Sequence, residues 1–214
     1  MLEPVKSPVR HRCPEPRHRR GFTLIEMLIG ISLLAIVLAL GVPSLQRFIV
    51  NSRLKAVNSQ LVSDLAFARS EAASRNMPVY WTWRAIPFGA TPGSCYTIFT
   101  ATVDGAQCDC SLGAGAACPN AAAATEIRTV RILRSGSIDL QPAAGMALTF
   151  AFDHINGGLF FGTTDMGDAV LADFVIDTSV RGDASRTLRS SISPAGRTKV
   201  CTSGATPIAG YPVC

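Results

Sequence analysis

Histidine is nearly missing from this chain. There are three, His11, His18 and His154, and only the last lies beyond the first 21 positions. A histidine-based triad therefore has a single candidate base in the bulk of the protein. No Gly-x-Ser-x-Gly, His-Glu-x-x-His or P-loop pattern supplies a nucleophile, a zinc site or a phosphate cradle. A calcium loop of EF-hand spacing is absent too. His154 sits between Asp153 and Ile155 just before a turn, where an exposed side chain is the expectation. Charge is also sparse, at 16% of residues, against roughly 25% in soluble domains. Between Met27 and Gln46 it vanishes altogether. These absences argue against an enzyme and imply no cofactor and no metal.

What charge there is gathers at the start. Residues 1–21 hold Lys6, Arg10, Arg12, Arg17, Arg19 and Arg20 against Glu3 and Glu15, so most of the formal net charge of +5 belongs to them. The basic pI therefore reports an N-terminal leader, not a domain-wide nucleic-acid surface. Rich in Pro, Arg and His without apolar periodicity, residues 1–20 read as disordered. Phe22 to Val42 is almost wholly apolar. As a helix it would be about 32 Å long, enough for a bilayer core of roughly 30 Å. The arginines before it hold the N-terminus in the cytoplasm and send the rest of the chain across the inner membrane.

The apolar run stops near Pro43, which is expected to bend the helix, but a helical pattern continues. Leu45, Phe48, Ile49, Leu54, Val57, Leu61, Leu65, Ala68 and Ala72 recur at spacings near three and four with polar residues between them. Asn76-Met77-Pro78 ends it. Beyond Pro78 the pattern changes to period two. Strands are expected at Val79–Trp83, Tyr96–Val103, Ile127–Leu133, Ala147–Phe152, Leu159–Gly162, Asp173–Asp177, Arg186–Ser193 and Thr198–Thr202. Asn156-Gly157-Gly158 and Pro194-Ala195-Gly196 read as hairpin turns. Gly105–Thr125, made of Gly, Ala, Asp and Cys, reads as a loop with little to bury. The reading is α+β: a leader at 1–21, a transmembrane half-helix at 22–42, an amphipathic half at 43–76 and an exported β-rich domain at 77–214.

Seven cysteines are present, and six of them, Cys95, Cys108, Cys110, Cys118, Cys201 and Cys214, lie beyond the apolar segment. An even set on the exported side suits three disulfides. A four-thiolate metal site from the first four is the competing reading, but their spacing is not the paired C-x₂-C of zinc knuckles. Four cysteines allow three pairings. Direct pairing of Cys108 with Cys110 would be strained, so each is expected to bridge outward. Cys201 and Cys214 would close a C-terminal loop.

The segment with the most chemical content is Arg20-Gly21-Phe22-Thr23-Leu24-Ile25-Glu26. A carboxylate in a membrane helix costs roughly 2.5–3.5 kcal/mol at mid-bilayer and less near an end, so it usually has a partner. Cleavage after Gly21 would make Phe22 the N-terminus and put a free ammonium one helical turn from Glu26. An ordinary secretory signal with Met27–Leu40 as its apolar region leaves Glu26 unexplained and discards half of a continuing helix. The segment resembles the processing site of type IV pilins and type II secretion pseudopilins, although the leader is long for that class. The resemblance implies that a prepilin peptidase cuts after Gly21, that Phe22 is methylated, and that the Glu26 carboxylate guides filament assembly. It also implies partners: other minor pilins or pseudopilins and the major subunit.

Leu65-Ala66-Phe67-Ala68-Arg69-Ser70-Glu71-Ala72-Ala73-Ser74-Arg75-Asn76 and Ile192-Ser193-Pro194-Ala195-Gly196-Arg197 resemble the helix end and C-terminal hairpin of the GspH/FimT family. Arg69, Glu71 and Arg75 are expected to be solvated. The family implies a pilin-like fold and a subunit near the filament tip. Some FimT-like minor pilins capture DNA in natural transformation through a Gly-Arg-x-Arg motif. Here the matching residues are Gly196-Arg197-Thr198-Lys199, which keep the charge but lose one guanidinium fork. With Arg186 and Arg189 they form the DNA-binding alternative. A solvated basic face is the plainer reading, and no aromatic stacking residue lies nearby except Tyr211.

Overall fold

The computed structural model describes residues 21–86, 93–103, 105–133, 137–161 and 172–214, without the side chains at 40–44. The leader expected to be disordered, the end of the expected strand at Gly162, and the side chain of Pro43 lie outside these. The chain separates into two compact units, Met1–Ser44 and Leu45–Cys214. In the first, every described side chain from Gly21 to Ala39 is exposed, including Phe22, Ile25, Leu33 and Val37. Among the described residues no helix is long and apolar enough to cross a membrane. The side chains at 40–42, the end of the expected span, lie outside the described residues.

One helix, α1, covers Leu24–Arg75, two residues inside the expected start. In the second unit its buried face is Leu54, Leu61, Leu65, Ala68 and Ala72, a stripe at helical spacing. The helix stops where the sequence changes chemistry. Asn76 takes a left-handed φ of 51°, and Met77 N–H donates to the Ala72 carbonyl at 3.3 Å. That is a Schellman cap, with Pro78 barring another turn.

Among the described residues nine strands come after the helix: β1 (Val79–Ile86), β2 (Gly93–Ala101), β3 (Ala124–Leu133), β4 (Ile138–Pro142), β5 (Thr149–Phe152), β6 (Leu159–Phe160), β7 (Phe174–Val180), β8 (Asp183–Ile192) and β9 (Thr198–Thr202). They form two sheets, ordered β3-β2-β1-β5-β6 and β4-β7-β8-β9, and every strand pair is antiparallel. The α+β expectation holds. Both expected hairpin turns are present, the first joining β5 to β6 and the second β8 to β9. β4 is the strand not expected.

Alternation sorts the side chains. Val79 and Trp81 of β1, Tyr96 and Ile98 of β2, and Phe150 and Phe152 of β5 join Leu61, Leu65, Ala68 and Ala72 of α1 in one core. Leu140, Phe174, Ile176 and Ile192 of the second sheet complete it. Trp81 is at its centre, fully buried, 5.1 Å from the Phe150 ring and 5.7 Å from that of Tyr96. The other face of the first sheet, Tyr80, Phe99, Ala151 and Phe160, is also buried. Its cover is the segment expected to have little to bury. Cys108, Cys118 and Ala106 pack over that face, while Cys110 packs with Cys95 and Ile86. The expectation failed because it treated cysteine as a cross-link only, whereas a cystine is also a compact apolar body.

Two buried polar groups tie α1 to the strands. Asn58 Oδ1 accepts from the hydroxyls of Thr178 and Ser190, at 3.2 and 2.9 Å. Asp64, buried, accepts from the Tyr96 hydroxyl at 2.6 Å and pairs with Arg128 at 3.0 Å. Burial pushes the Tyr96 phenol well above its ordinary value, the bond to Asp64 and the carboxylate's charge push further, and Arg128 works against them. A phenol that keeps its proton longer folded than unfolded contributes stability fully below pH about 10, and that stability drains away as pH rises. Tyr96→Phe is therefore expected to cost about 1–2 kcal/mol at pH 7 and to flatten the loss of stability above pH about 10. Urea midpoints at pH 7 and 10.5 test this. Parallel losses in both proteins would show that Tyr96 is not the alkaline-sensitive group.

Candidate functional site

Gly21, Phe22 and Glu26 lie at the start of α1. Phe22 is exposed and a Cβ at Gly21 would touch nothing. Glu26 N–H donates to the Thr23 hydroxyl at 3.3 Å, and Met27 N–H to the Thr23 carbonyl at 3.2 Å. Thr23 is thus the N-cap, and Thr23-x-x-Glu26 has the spacing of a capping box. Sequence reading missed this local role, although the pattern itself was the signal. Glu26 is also the acidic residue of the helix's first turn, where the positive end of the helix dipole favours an anion. A free ammonium at Phe22 would crowd that same positive end, so the carboxylate offsets both.

The six cysteines are joined as Cys95–Cys110, Cys108–Cys118 and Cys201–Cys214. Cys108 and Cys110 each bridge outward. Asp109, between them, accepts from the N–H and hydroxyl of Ser111 and pairs with Arg84 at 3.2 Å. Partial burial opposes its ionisation, but the Ser111 bonds and the Arg84 charge outweigh that and hold its carboxyl below the usual range. Glu126 of β3 accepts from the N–H groups of Gly115 and Ala117, at 3.0 and 3.1 Å. The cystine segment is thereby fastened by carboxylates as well as sulfur. Among the described residues no cluster of His, Cys, Asp and Glu is placed to hold a metal.

Arg186 is on one face of β8, whereas Arg189 and Lys199 share the other face of the β8–β9 pair. Arg186 faces α1, with Nη1 donating to Asn51 Oδ1 at 3.1 Å and Nε pairing with Asp183 at 2.7 Å. Arg189 is on the opposite side of β8. Its fork binds both oxygens of Asp177, each at 2.9 Å, which raises its already high pKa. Asp177 is its direct partner in the β7–β8 register. Arg197 is exposed in the β8–β9 turn, and Lys199 is exposed on β9 opposite Ser191. Counting outward from the Arg181-Gly182 turn would set Asp177 opposite Arg186; a register shift between Ser179 and Val180 brings it opposite Arg189 instead, and no local sequence signal gives that shift. His154 is half-buried, not exposed, and its Nδ1 lies 3.4 Å from Asp153.

Arg69 is not simply solvated either. Gly157 and Gly196, from the two hairpin turns, lie against it: a Cβ at either would stand 2.6 and 3.1 Å from its Nε. Both glycines have positive φ, 68° and 73°, so the turns need glycine for backbone shape and for this close approach. Arg75 pairs with Glu71 at 2.6 Å, one helical turn away.

A helix opening on Gly-Phe-Thr-Leu-Ile-Glu, succeeded by a two-sheet cystine domain, defines a protein of the pilin class. The chain belongs to the family of the type II transport protein GspH, whose model matches residues 58–196, and the prokaryotic N-terminal methylation motif matches residues 16–42. Two crystal forms of the type IV minor pilin FimU from Pseudomonas aeruginosa PAO1 are similar. One is 16% identical, covering 74% of this chain and 96% of that one; the other is 17% identical, covering 78% and 95%. The TM-score is 0.45 in both cases. No curated protein matches.

Proposed function

We propose that the chain is a non-enzymatic minor pilin or pseudopilin of a type IV pilus or type II secretion pseudopilus, acting in the tip or assembly-priming complex. A prepilin peptidase cuts between Gly21 and Phe22, residues 22–42 lie in the inner membrane before assembly, and the β-rich domain occupies the periplasm. The observation that carries the reading is the placement of Glu26 in the first turn of a helix that starts just after Gly21. The exposed apolar side chains from Phe22 to Leu38 support it, since so large an apolar surface calls for lipid or neighbouring subunits as cover. Other minor subunits and the major subunit are the partners this implies. Arg186 and Arg189 are paired with carboxylates within the chain, so DNA capture, the second reading, would rest on the exposed Arg197 and Lys199.

Glu26→Leu is expected to leave cleavage intact, with the mature chain beginning at Phe22, and to cut recovery in sheared filaments at least tenfold. N-terminal sequencing and immunoblots of the membrane and filament fractions report the two steps separately. Equal recovery of variant and parent in filaments overturns the assembly role, and a mature chain beginning at Val42 overturns the processing role. A deletion strain that loses twitching or transformation assigns the pilus. One that traps exoenzymes in the periplasm assigns the secretion system.

A further inference from the structure

A groove of about 610 Å³ runs between α1 and the β8–β9 turn. Val62, Ala66, Arg69 and Ala73 form the helix wall, and Gly196 and Arg197 belong to the opposite one. Among the described residues neither Arg69 nor Arg197 has a carboxylate partner, whereas Arg75, Arg84, Arg128, Arg186 and Arg189 each have one. Arg69 is half-buried and held against Gly157 and Gly196, so it has already lost much of the side-chain freedom that binding would otherwise cost. Two guanidinium groups beside a small-residue aliphatic wall match a carboxylate on a short aliphatic stretch. Guanidinium–carboxylate pairs are the strong, oriented class of hydrogen bond. Among the described residues no aromatic side chain lines the groove, so a nucleic-acid base would find no stacking surface there.

We propose that this groove binds an acidic polypeptide segment of another protein chain, with a carboxylate held by Arg69 and Arg197. The site lies wholly within Leu45–Cys214 and stands independently of the cut at Gly21. The test is fluorescence anisotropy on the full-length protein in neutral detergent at low salt, with labelled deca-glutamate as the probe. A Gly-Ser decapeptide and a labelled thymidine 20-mer serve as comparisons. Deca-glutamate is expected to bind, the Gly-Ser peptide not to. Arg69→Gln/Arg197→Gln should weaken deca-glutamate at least tenfold, and Arg197→Gln alone, in an exposed turn, at least threefold. Arg47→Gln/Arg53→Gln, which removes equal charge outside the groove, should change it less than twofold. Equal weakening by the two double variants, no deca-glutamate binding by the parent, or an unweakened Arg197→Gln overturns the proposal. Tighter binding of the thymidine strand with the same arginine dependence overturns it in favour of nucleic acid.

Discussion

Trp81→Ala is expected to destabilise the domain by about 3–5 kcal/mol, the range for emptying a fully enclosed aromatic site. Trp81 has no exposed surface. Its ring stacks on Tyr96 and Phe150 and meets Phe174 edge-on at 6.0 Å, so it touches both sheets at once. Alanine would leave a void that neither sheet can close without giving up strand pairing. The urea midpoint should fall while the dependence on urea keeps its slope, because the unfolded chain is unchanged. Trp81→Phe separates shape from polarity. Among the described residues the buried indole Nε1 has no hydrogen-bond partner. Phenylalanine deletes that orphan donor and keeps most of the volume, so its cost should stay below about 1.5 kcal/mol. A phenylalanine variant as unstable as the alanine one would show that the indole has a partner.

Removing one cystine should have the next largest effect. Cys95→Ala/Cys110→Ala opens a loop with a sequence separation of 15, which the chain-entropy estimate values at about 3 kcal/mol. Here the midpoint should fall and the slope should rise, because the unfolded chain loses a constraint and exposes more surface. The folded protein should change too. Cys110 anchors the segment that covers Tyr80, Phe99 and Phe160, so the variant should bind a hydrophobic dye that the parent does not. An unchanged midpoint with no dye binding would mean that Cys108–Cys118 and the Glu126 bonds hold the cover unaided.

How far the sequence foretold this depends on the range of the interaction concerned. α1 was legible almost to the residue because its signals are local: apolar spacing, an Asn at the left-handed position, then a proline. Both glycine hairpins were legible for the same reason. β4 was not. Ile138-Asp139-Leu140-Gln141-Pro142 alternates, but only Ile138 and Leu140 are buried, and a proline closes it, as an edge strand tolerates. The division into two sheets was equally hidden. β1 pairs with β5 across a long stretch of intervening chain, and no local pattern specifies that partner. At the candidate site, the motif from Gly21 to Glu26 is contiguous and was plain. At the basic hairpin the pairing of Arg189 was not legible, because its partner Asp177 lies twelve residues back and arrives only through the shifted β7–β8 register.

The two hairpin turns that flank Arg69 also touch each other. Leu159 N–H donates to the Pro194 carbonyl at 2.8 Å, and the Gly157 carbonyl is so near Gly196 that a Cβ there would come within 2.2 Å of it. Elsewhere, Trp83 Nε1 of the first sheet donates to the Leu140 carbonyl of the second at 2.8 Å. A tensile pull on the last hairpin is therefore passed to β6 and β5 as well as along β8. The load path is branched, with one arm running through the Leu159–Pro194 bond into the first sheet.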